Sequence, residues 1–397
     1  MIAYPIPELE QLEKRGLIDE AFSQELITEK EQILAKHQFP SHLYIPNFFV
    51  RIGLGILTSI VLQAVVALIV QATWAEQANY ISLLTGLAGI GALEYFIRQR
   101  GHYGSGIDDI LLYSGVSSLV FFAGLQLDML YAPDRVWVAV IAFVLCSAAW
   151  LRYLDRLAVL ASLLSLCAVV ITLFYWNEYP QPQLMCFAVA VTMSACSLVA
   201  GYLKGREKFR WHRRCLHVLG SFAVALAYVS LHVFVIDKLL AEQALPNQGS
   251  GGTEGAGIGN PGAGWQIFHW GWTVIVPILM LWRSIVKKDR LQIRIWMVLL
   301  LSAFYFQHYY YPVFAGEITT LIYGLLLLGL TGLLVRILKK GASSYSFRKG
   351  GDEGDLLQSA PWLVVGGYSG VAVAPEAQGG VGFGGGSFGG GGSGAEY

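Results

Sequence analysis

Residues 157–176 read LAVLASLLSLCAVVITLFYW, a stretch of 20 residues without a single charged side chain. An α-helix rises 1.5 Å per residue, so about 20 apolar residues cross the hydrocarbon core of a bilayer. The stretch therefore predicts a transmembrane helix. Composition agrees with this, since 55% of the 397 residues are hydrophobic, only 14% are charged and the mean hydropathy is +0.53.

Similar apolar runs follow one another along most of the chain. We count ten, at 53–73, 78–97, 108–129, 136–151, 157–176, 183–203, 215–236, 267–285, 292–311 and 317–337. Each is close to the length of a membrane span, although the fourth is short. The predicted fold class is all-α, a polytopic transmembrane helix bundle with about ten spans, and counts of nine and eleven stay open.

The distribution of Lys and Arg predicts the orientation of this bundle. The stretch LKGREKFRWHRRCLH, residues 203–217, carries six of them and joins spans 6 and 7. With a cytoplasmic N-terminus, 25 of the 27 Lys and Arg fall on the cytoplasmic side, and only Arg135 and Lys238 fall outside. Because cytoplasmic loops hold the excess of basic residues, we expect both termini in the cytoplasm.

The same basic loop has two further interpretations. Clustered Lys and Arg attract anionic lipid headgroups at about 1 kcal/mol per charge, so Lys204–Arg214 is a candidate headgroup site. Nucleic-acid binding is not predicted, because topology accounts for the loop and the net charge of the chain is zero.

Three regions divide the chain: a cytosolic helical hairpin at 1–50, the transmembrane bundle at 51–337 and a cytosolic Gly-rich flexible tail at 338–397. Apolar residues recur at helical spacing in the hairpin, and Gly16, after two basic residues, suits the end of its first helix. The last 19 residues contain 11 Gly, which favours a flexible chain. We expect residues 1–45 or the tail to contact protein partners.

Small residues in span 2 predict a close helix–helix contact. The segment GLAGIGA contains Gly86, Gly89 and Gly91, and Ala88 and Ala92 add a second small pair. Side chains of this size let two membrane helices approach closely.

Six ionisable residues collect at the predicted outer ends of spans 3 and 7 to 10, and form a candidate polar cavity: Asp128, His232, Asp237, His269, His308 and Glu317. Ionisable groups in a bilayer are costly and are functional candidates for that reason. They either fill the membrane interface, where His is well tolerated, or line one outward-facing cavity. A metal or haem site built on the histidines is the third possibility.

Enzyme signatures are missing from the sequence. It contains no HExxH, no Walker loop and no GxSxG, and its five cysteines include no CxxC pair. No catalytic, cofactor-binding or metal-binding residue is predicted, no cofactor is expected, and the pattern leans away from an enzyme.

The segment LEQLEKRGLI, with Leu9, Leu12, Gly16 and Ile18, resembles a cytosolic segment of the form LxxLxxxGxI. Such a segment precedes the membrane helices in uncharacterised families of bacterial multi-pass membrane proteins. The resemblance implies a location in the bacterial inner membrane and supplies no catalytic residues.

Three function classes follow from these observations. The first is a structural or accessory membrane protein with protein partners. The second is a transporter of a small solute or lipid, with its site at the outer ends of spans 7 to 10. The third is a membrane redox protein or a metal- or haem-binding protein. An apolar midplane speaks against ion coupling in the second class.

Overall fold

The structure, a computed structural model, describes residues 2–23, 26–72, 78–127, 132–176, 182–232, 235–236, 263–287 and 289–310, with six isolated positions between 324 and 336. This described part is 88% helical, with eleven α-helices and no strand. The helices are α1 Ile6–Ser23, α2 Glu29–Gln38, α3 Phe48–Ala72, α4 Ala78–Arg100, α5 Ile107–Gln126, α6 Ala132–Tyr153, α7 Arg156–Trp176, α8 Pro182–Lys204, α9 Arg213–Ser230, α10 Ala263–Val286 and α11 Arg290–Tyr310.

Seven of these helices, α3 to α8 and α10, are long and apolar enough to cross a membrane. Helix α11 adds a shorter apolar stretch, Leu291–Phe306. The prediction of an all-helical protein with several helices long and apolar enough to span a membrane is confirmed, and the number of spans stays a prediction. The tenth predicted span, 317–337, lies outside the described residues apart from isolated positions, and the tail at 338–397 lies outside them entirely.

Contacts between helix ends define one end of the bundle. We call it the hairpin end, because Tyr4 and Leu9 of the N-terminal hairpin region pack there. The Nε2 atom of His212, between α8 and α9, lies 2.9 Å from the carbonyl oxygen of Leu151 near the end of α6. His217 in the first turns of α9 lies 3.3 Å from Asp289, just before α11. The basic segments that connect these helices therefore share one end of the bundle.

Three hydrophobic clusters form the core. The largest lies at the hairpin end and contains residues from each of the six helices α4 through α9. It also includes Tyr4 and Leu9 from the N-terminal segment. A second cluster lies between α7, α8 and α9, and a third joins α9 to α10 and α11 around Tyr228 and Trp296. The N-terminal segment is thus packed into the bundle itself.

Glycines bring α4 and α5 into close contact, as the small residues of span 2 predict. A Cβ atom on Gly89 would lie 3.3 Å from the Cα of Gly115, and one on Gly86 would lie 2.7 Å from the side chain of Leu119. Gly91 has no such neighbour within 4 Å. The prediction is confirmed for Gly86 and Gly89, and Gly91 plays no part in this contact.

The hairpin differs from the sequence prediction at its first helix. Helix α1 continues through Gly16, which has open space around it, and ends at Ser23. An exposed glycine inside a helix costs about 1 kcal/mol and does not have to end it. Helix α2 begins after Thr28, whose side chain and backbone exchange hydrogen bonds with Glu31 in a capping box. The Thr-x-x-Glu spacing at 28–31 was the better boundary signal.

Candidate functional site

Of the six residues predicted to line an outer cavity, the structure describes the side chains of two, and both lie at the end of the bundle opposite the hairpin end. His232 follows the C-terminus of α9, and His269 lies in α10. Both side chains are buried. The His269 Nδ1 atom lies 3.1 Å from the carbonyl oxygen of Leu231, directly next to His232 in the chain. The structure therefore brings these two residues close together.

The contacts of His269 explain part of this arrangement as helix capping. A carbonyl oxygen only accepts hydrogen bonds, so Nδ1 of His269 is the donor to Leu231. The indole nitrogen of Trp272 donates in the same way to the carbonyl of Tyr228 at 3.3 Å. The last carbonyls of a helix lack partners within it. The Leu231 carbonyl gains its partner from His269, while the Tyr228 carbonyl also accepts from the Leu231 amide at 3.2 Å, and both side chains of α10 hold the two helices together.

The rest of the predicted cavity stays a prediction. Asp128, Asp237 and Glu317 lie outside the described residues, and His308 belongs to α11 with its side chain outside the description. Within the described part of the chain, no group of three or more His, Cys, Asp or Glu is arranged to hold a metal ion.

The basic stretch Lys204–Arg214 contains a 3-10 helix, Glu207–His212, and several of its charges have protein partners. Arg210 forms a 2.7 Å ion pair with Glu13 of α1, and Arg213 lies 3.4 Å from Glu207. Part of this stretch therefore contacts the hairpin through a half-exposed ion pair. Binding of anionic headgroups at Lys204–Arg214 stays a prediction.

The N-terminal segment inserts an aromatic ring into the hairpin end. The amide of Ala3 donates to the carbonyl of Arg152 at 2.9 Å, at the end of α6. Tyr4 is buried, and its ring packs edge-on against Tyr103 with 4.8 Å between the centroids. Burial raises the pKa of the Tyr4 hydroxyl, and the nearby carboxylate of Asp108 raises it further. Tyr4 is therefore neutral at physiological pH and anchors the segment by packing.

Replacing Tyr4 by alanine is expected to release residues 2–23 from the bundle. Loss of a buried aromatic side chain costs about 3–5 kcal/mol. The remaining anchors, buried Leu9 and the half-exposed pair of Glu13 with Arg210, should hold the segment much less firmly. The measurement is limited proteolysis of the full-length protein in detergent, which should cut the variant in α1 much faster. Tyr80→Ala removes an exposed ring and is the control. Equal cleavage of both variants would contradict this docking.

A groove of about 520 Å³ lies between α4, α5 and α6. Helical periodicity places its lining residues on one face of each helix, at positions three or four apart. Most of its wall is apolar and consists of Ile90, Leu112, Val116, Leu145, Ala148 and Ala149. Its volume falls in the range of ligand pockets, roughly 300–1,000 Å³.

Charged side chains converge at the hairpin end of this groove. Glu94 of α4 accepts hydrogen bonds from the Arg152 Nε at 2.6 Å and from the Tyr153 hydroxyl at 2.8 Å, both at the end of α6. Arg98 lies 3.2 Å from the other oxygen of Glu94. The i, i+4 spacing predicts the pair of Glu94 and Arg98. Arg152 lies 58 residues from Glu94, and no local pattern indicates that contact.

The two acids that open α5 have different partners. Asp108 accepts hydrogen bonds from the amides of Gly104 and Ser105, which orders the loop before the helix. Asp109 is buried and forms an ion pair with Arg51 at the start of α3, with 2.6 Å between Nη2 and Oδ2. The pair joins α3 to α5. Acids at a helix start ordinarily stabilise the helix dipole. Asp108 and Asp109 have additional roles, since each also has specific partners.

The loop between α6 and α7 carries a half-buried carboxylate, Asp155, at the hairpin end. Asp155 accepts hydrogen bonds from the Ala158 amide at 2.6 Å and from the Tyr113 hydroxyl at 3.0 Å. Burial raises the pKa of Asp155, and these two hydrogen bonds oppose the increase without cancelling it. Asp155 thereby caps α7 and ties it to α5.

No protein-family model, curated protein or solved structure matches the chain. Its class therefore follows from the structure alone: a helical membrane protein with at least seven helices that are long and apolar enough to cross a bilayer.

Proposed function

We propose that this chain is an accessory protein of the bacterial inner membrane, with about ten spans, both termini in the cytoplasm and a hairpin that binds a protein partner. The observation that carries the proposal is the exposed apolar surface of the hairpin. Tyr4 and Leu9 attach the hairpin to the bundle, so a partner that binds the hairpin is held next to the membrane part.

The charge distribution supports the orientation. Arg98, Arg152, Lys204 and Arg213 lie at or near helix ends that meet at the hairpin end. A cytoplasmic location of this end agrees with the excess of 25 to 2 in the distribution of Lys and Arg. The hairpin, which packs against the same end, then faces the cytoplasm.

The far part of the hairpin exposes large apolar side chains to solvent. Leu17 is 60% exposed, Leu26 71% and Leu34 65%, and Phe22 and Ile33 are also exposed. Helix α2 contains no buried residue. Apolar side chains that collect on a water-exposed surface are usually covered by another molecule. We define Leu17, Phe22, Leu26, Ile33 and Leu34 as the hairpin patch.

Charge distinguishes between a protein and a membrane as the molecule that covers the hairpin patch. Residues 1–45 contain eight Asp and Glu but four Lys and Arg. The cytoplasmic leaflet carries a negative surface potential, which repels an acidic element. A protein surface with apolar side chains inside a basic rim complements the hairpin in both respects. We therefore assign the hairpin patch to a partner of that chemistry.

Photo-crosslinking in cells tests the proposal. A benzoylphenylalanine placed at Leu26 or Leu34 of the full-length protein is expected to crosslink to one protein species. The same label at Arg100, an exposed position at the end of α4 and outside the hairpin, is the control and should crosslink much less. Adding Leu17→Glu should weaken binding of the purified partner by about tenfold or more, because a carboxylate would be buried at an apolar contact.

Three results would contradict the proposal. Crosslinks to lipid alone would mean that the hairpin patch rests on the membrane, and crosslinks to the same chain would mean that it joins two copies. A partner that binds the Leu17→Glu variant as tightly as the original protein would not be held by this surface.

A further inference from the structure

We propose that an anionic phospholipid occupies the groove between α4, α5 and α6, with its phosphate at Arg98 and an acyl chain along the apolar wall. This site lies in the membrane part, and it is independent of the hairpin patch and of the partner proposed above.

The apolar part of the groove opens towards the side of the bundle. Ala148 is exposed, and Ile90, Val116 and Leu145 are half-buried, so the wall is accessible from outside the bundle. All four belong to helices that are long and apolar enough to span a membrane. At this depth the surroundings of a membrane protein are lipid chains. An acyl chain is therefore the molecule that meets this wall first.

The position of the charges along α4 matches the layers of a bilayer. Ile90, Glu94 and Arg98 follow one another at steps of four residues, so Ile90 and Arg98 are about 12 Å apart along the helix axis. The headgroup region of one leaflet is about 5–7 Å thick. The groove thus runs from apolar side chains at hydrocarbon depth to guanidinium groups at headgroup depth.

The charges favour an anionic headgroup. Two guanidinium groups, Arg98 and Arg152, face one carboxylate, Glu94, which leaves one positive charge. Arg152 is held by Glu94 at 2.6 Å, whereas the Arg98 side chain is 67% exposed. Arg98 reaches Glu94 through Nε, and a guanidinium has further N–H donors in a fork that fits phosphate oxygens. Arg98 is therefore the residue assigned to the phosphate.

Native mass spectrometry of the full-length protein tests this assignment. The probes are phosphatidylglycerol and phosphatidylcholine with identical acyl chains, each added at the same concentration to protein in detergent. We expect phosphatidylglycerol to be retained preferentially. Arg98→Gln should weaken its binding by about tenfold, as for loss of one charge-assisted hydrogen bond. Glu94 keeps its contacts with Arg152 and Tyr153 in that variant, so the bundle should stay folded.

A second variant tests the groove rather than the headgroup. Ala148→Phe places a ring in the groove and should reduce phosphatidylglycerol binding to a similar extent. Matched controls come from the same helices: Arg100→Gln at the exposed end of α4, and Val144→Phe at an exposed position of α6 outside the groove. Both controls should bind the lipid as the original protein does.

Each other outcome overturns the proposal. Equal binding of the two lipids excludes selection for negative charge. Equal binding by Arg98→Gln and Arg100→Gln removes the headgroup contact. If Ala148→Phe binds normally, or if Val144→Phe loses as much as Ala148→Phe, the lipid lies elsewhere on the bundle.

Discussion

Replacement of Arg51 by methionine is expected to lower the free energy of unfolding by about 3–5 kcal/mol, because it leaves a buried carboxylate without its cation. Arg51 donates to Oδ2 of Asp109 from Nε at 2.9 Å and from Nη2 at 2.6 Å. The two side chains are only 12% and 8% exposed. Little water reaches Asp109, so the carboxylate left without the guanidinium would be poorly solvated.

The position of this pair increases its importance for α3. Only 6% of the apolar window of α3 is buried, against 22–39% in the other six spans. The backbone of α3 also contacts the loop before α5 at this point, because Gly106, with φ +89°, lies so close to the Arg51 carbonyl oxygen that an added Cβ atom would overlap with it. Loss of the pair should therefore detach α3 more readily than the loss of a comparable contact would detach a better packed helix.

Thermal unfolding of the purified full-length protein in one detergent measures the effect, with two controls. Arg51→Met combined with Asp109→Leu should recover most of the stability, since replacing both members of a buried pair costs much less than replacing one. Arg210→Met breaks the half-exposed pair with Glu13 and should cost less than about 1 kcal/mol. A double variant as unstable as Arg51→Met would show that the buried charge is not the cause.

The membrane helices could be predicted from the sequence because each span must be apolar by itself. The run 157–176 corresponds to α7, Arg156–Trp176, and the run 183–203 corresponds to α8, Pro182–Lys204. In a bilayer every turn of a spanning helix has to be apolar, so the hydropathy of each segment predicts its helix without knowledge of the helices packed beside it. The same locality explains why the pair of Glu94 and Arg98 was predictable.

Contacts between distant segments could not be predicted in this way. Arg51 and Asp109 are 58 residues apart, and the burial of Tyr4 depends on the shape of a surface built by six helices. Taken alone, none of these three residues stands in a sequence pattern that indicates a long-range contact. Only the register in which the helices pack decides which of them meet, and neither periodicity nor composition contains that register.

A leucine at Gly115 should destabilise the protein by about 3 kcal/mol, the upper end of the usual cost of overpacking. A Cβ atom there would lie 2.9 Å from the Ile90 side chain and 3.4 Å from the carbonyl oxygen of Gly86. Even an alanine displaces Ile90, and the remaining atoms of leucine force α4 and α5 apart. Between membrane helices this loss is severe, since close packing is a main source of their association.

The matched control is Gly91→Leu in α4, where nothing lies within 4 Å of an added Cβ atom. Leucine is a better helix former than glycine, by up to about 1 kcal/mol, so this variant should be as stable as the original protein or slightly more stable. Thermal unfolding in the same detergent compares the two. Equal losses would indicate an effect on the helices themselves. Full stability of Gly115→Leu would mean that α4 and α5 do not depend on this close contact, and the role assigned to Gly86 and Gly89 would be wrong with it.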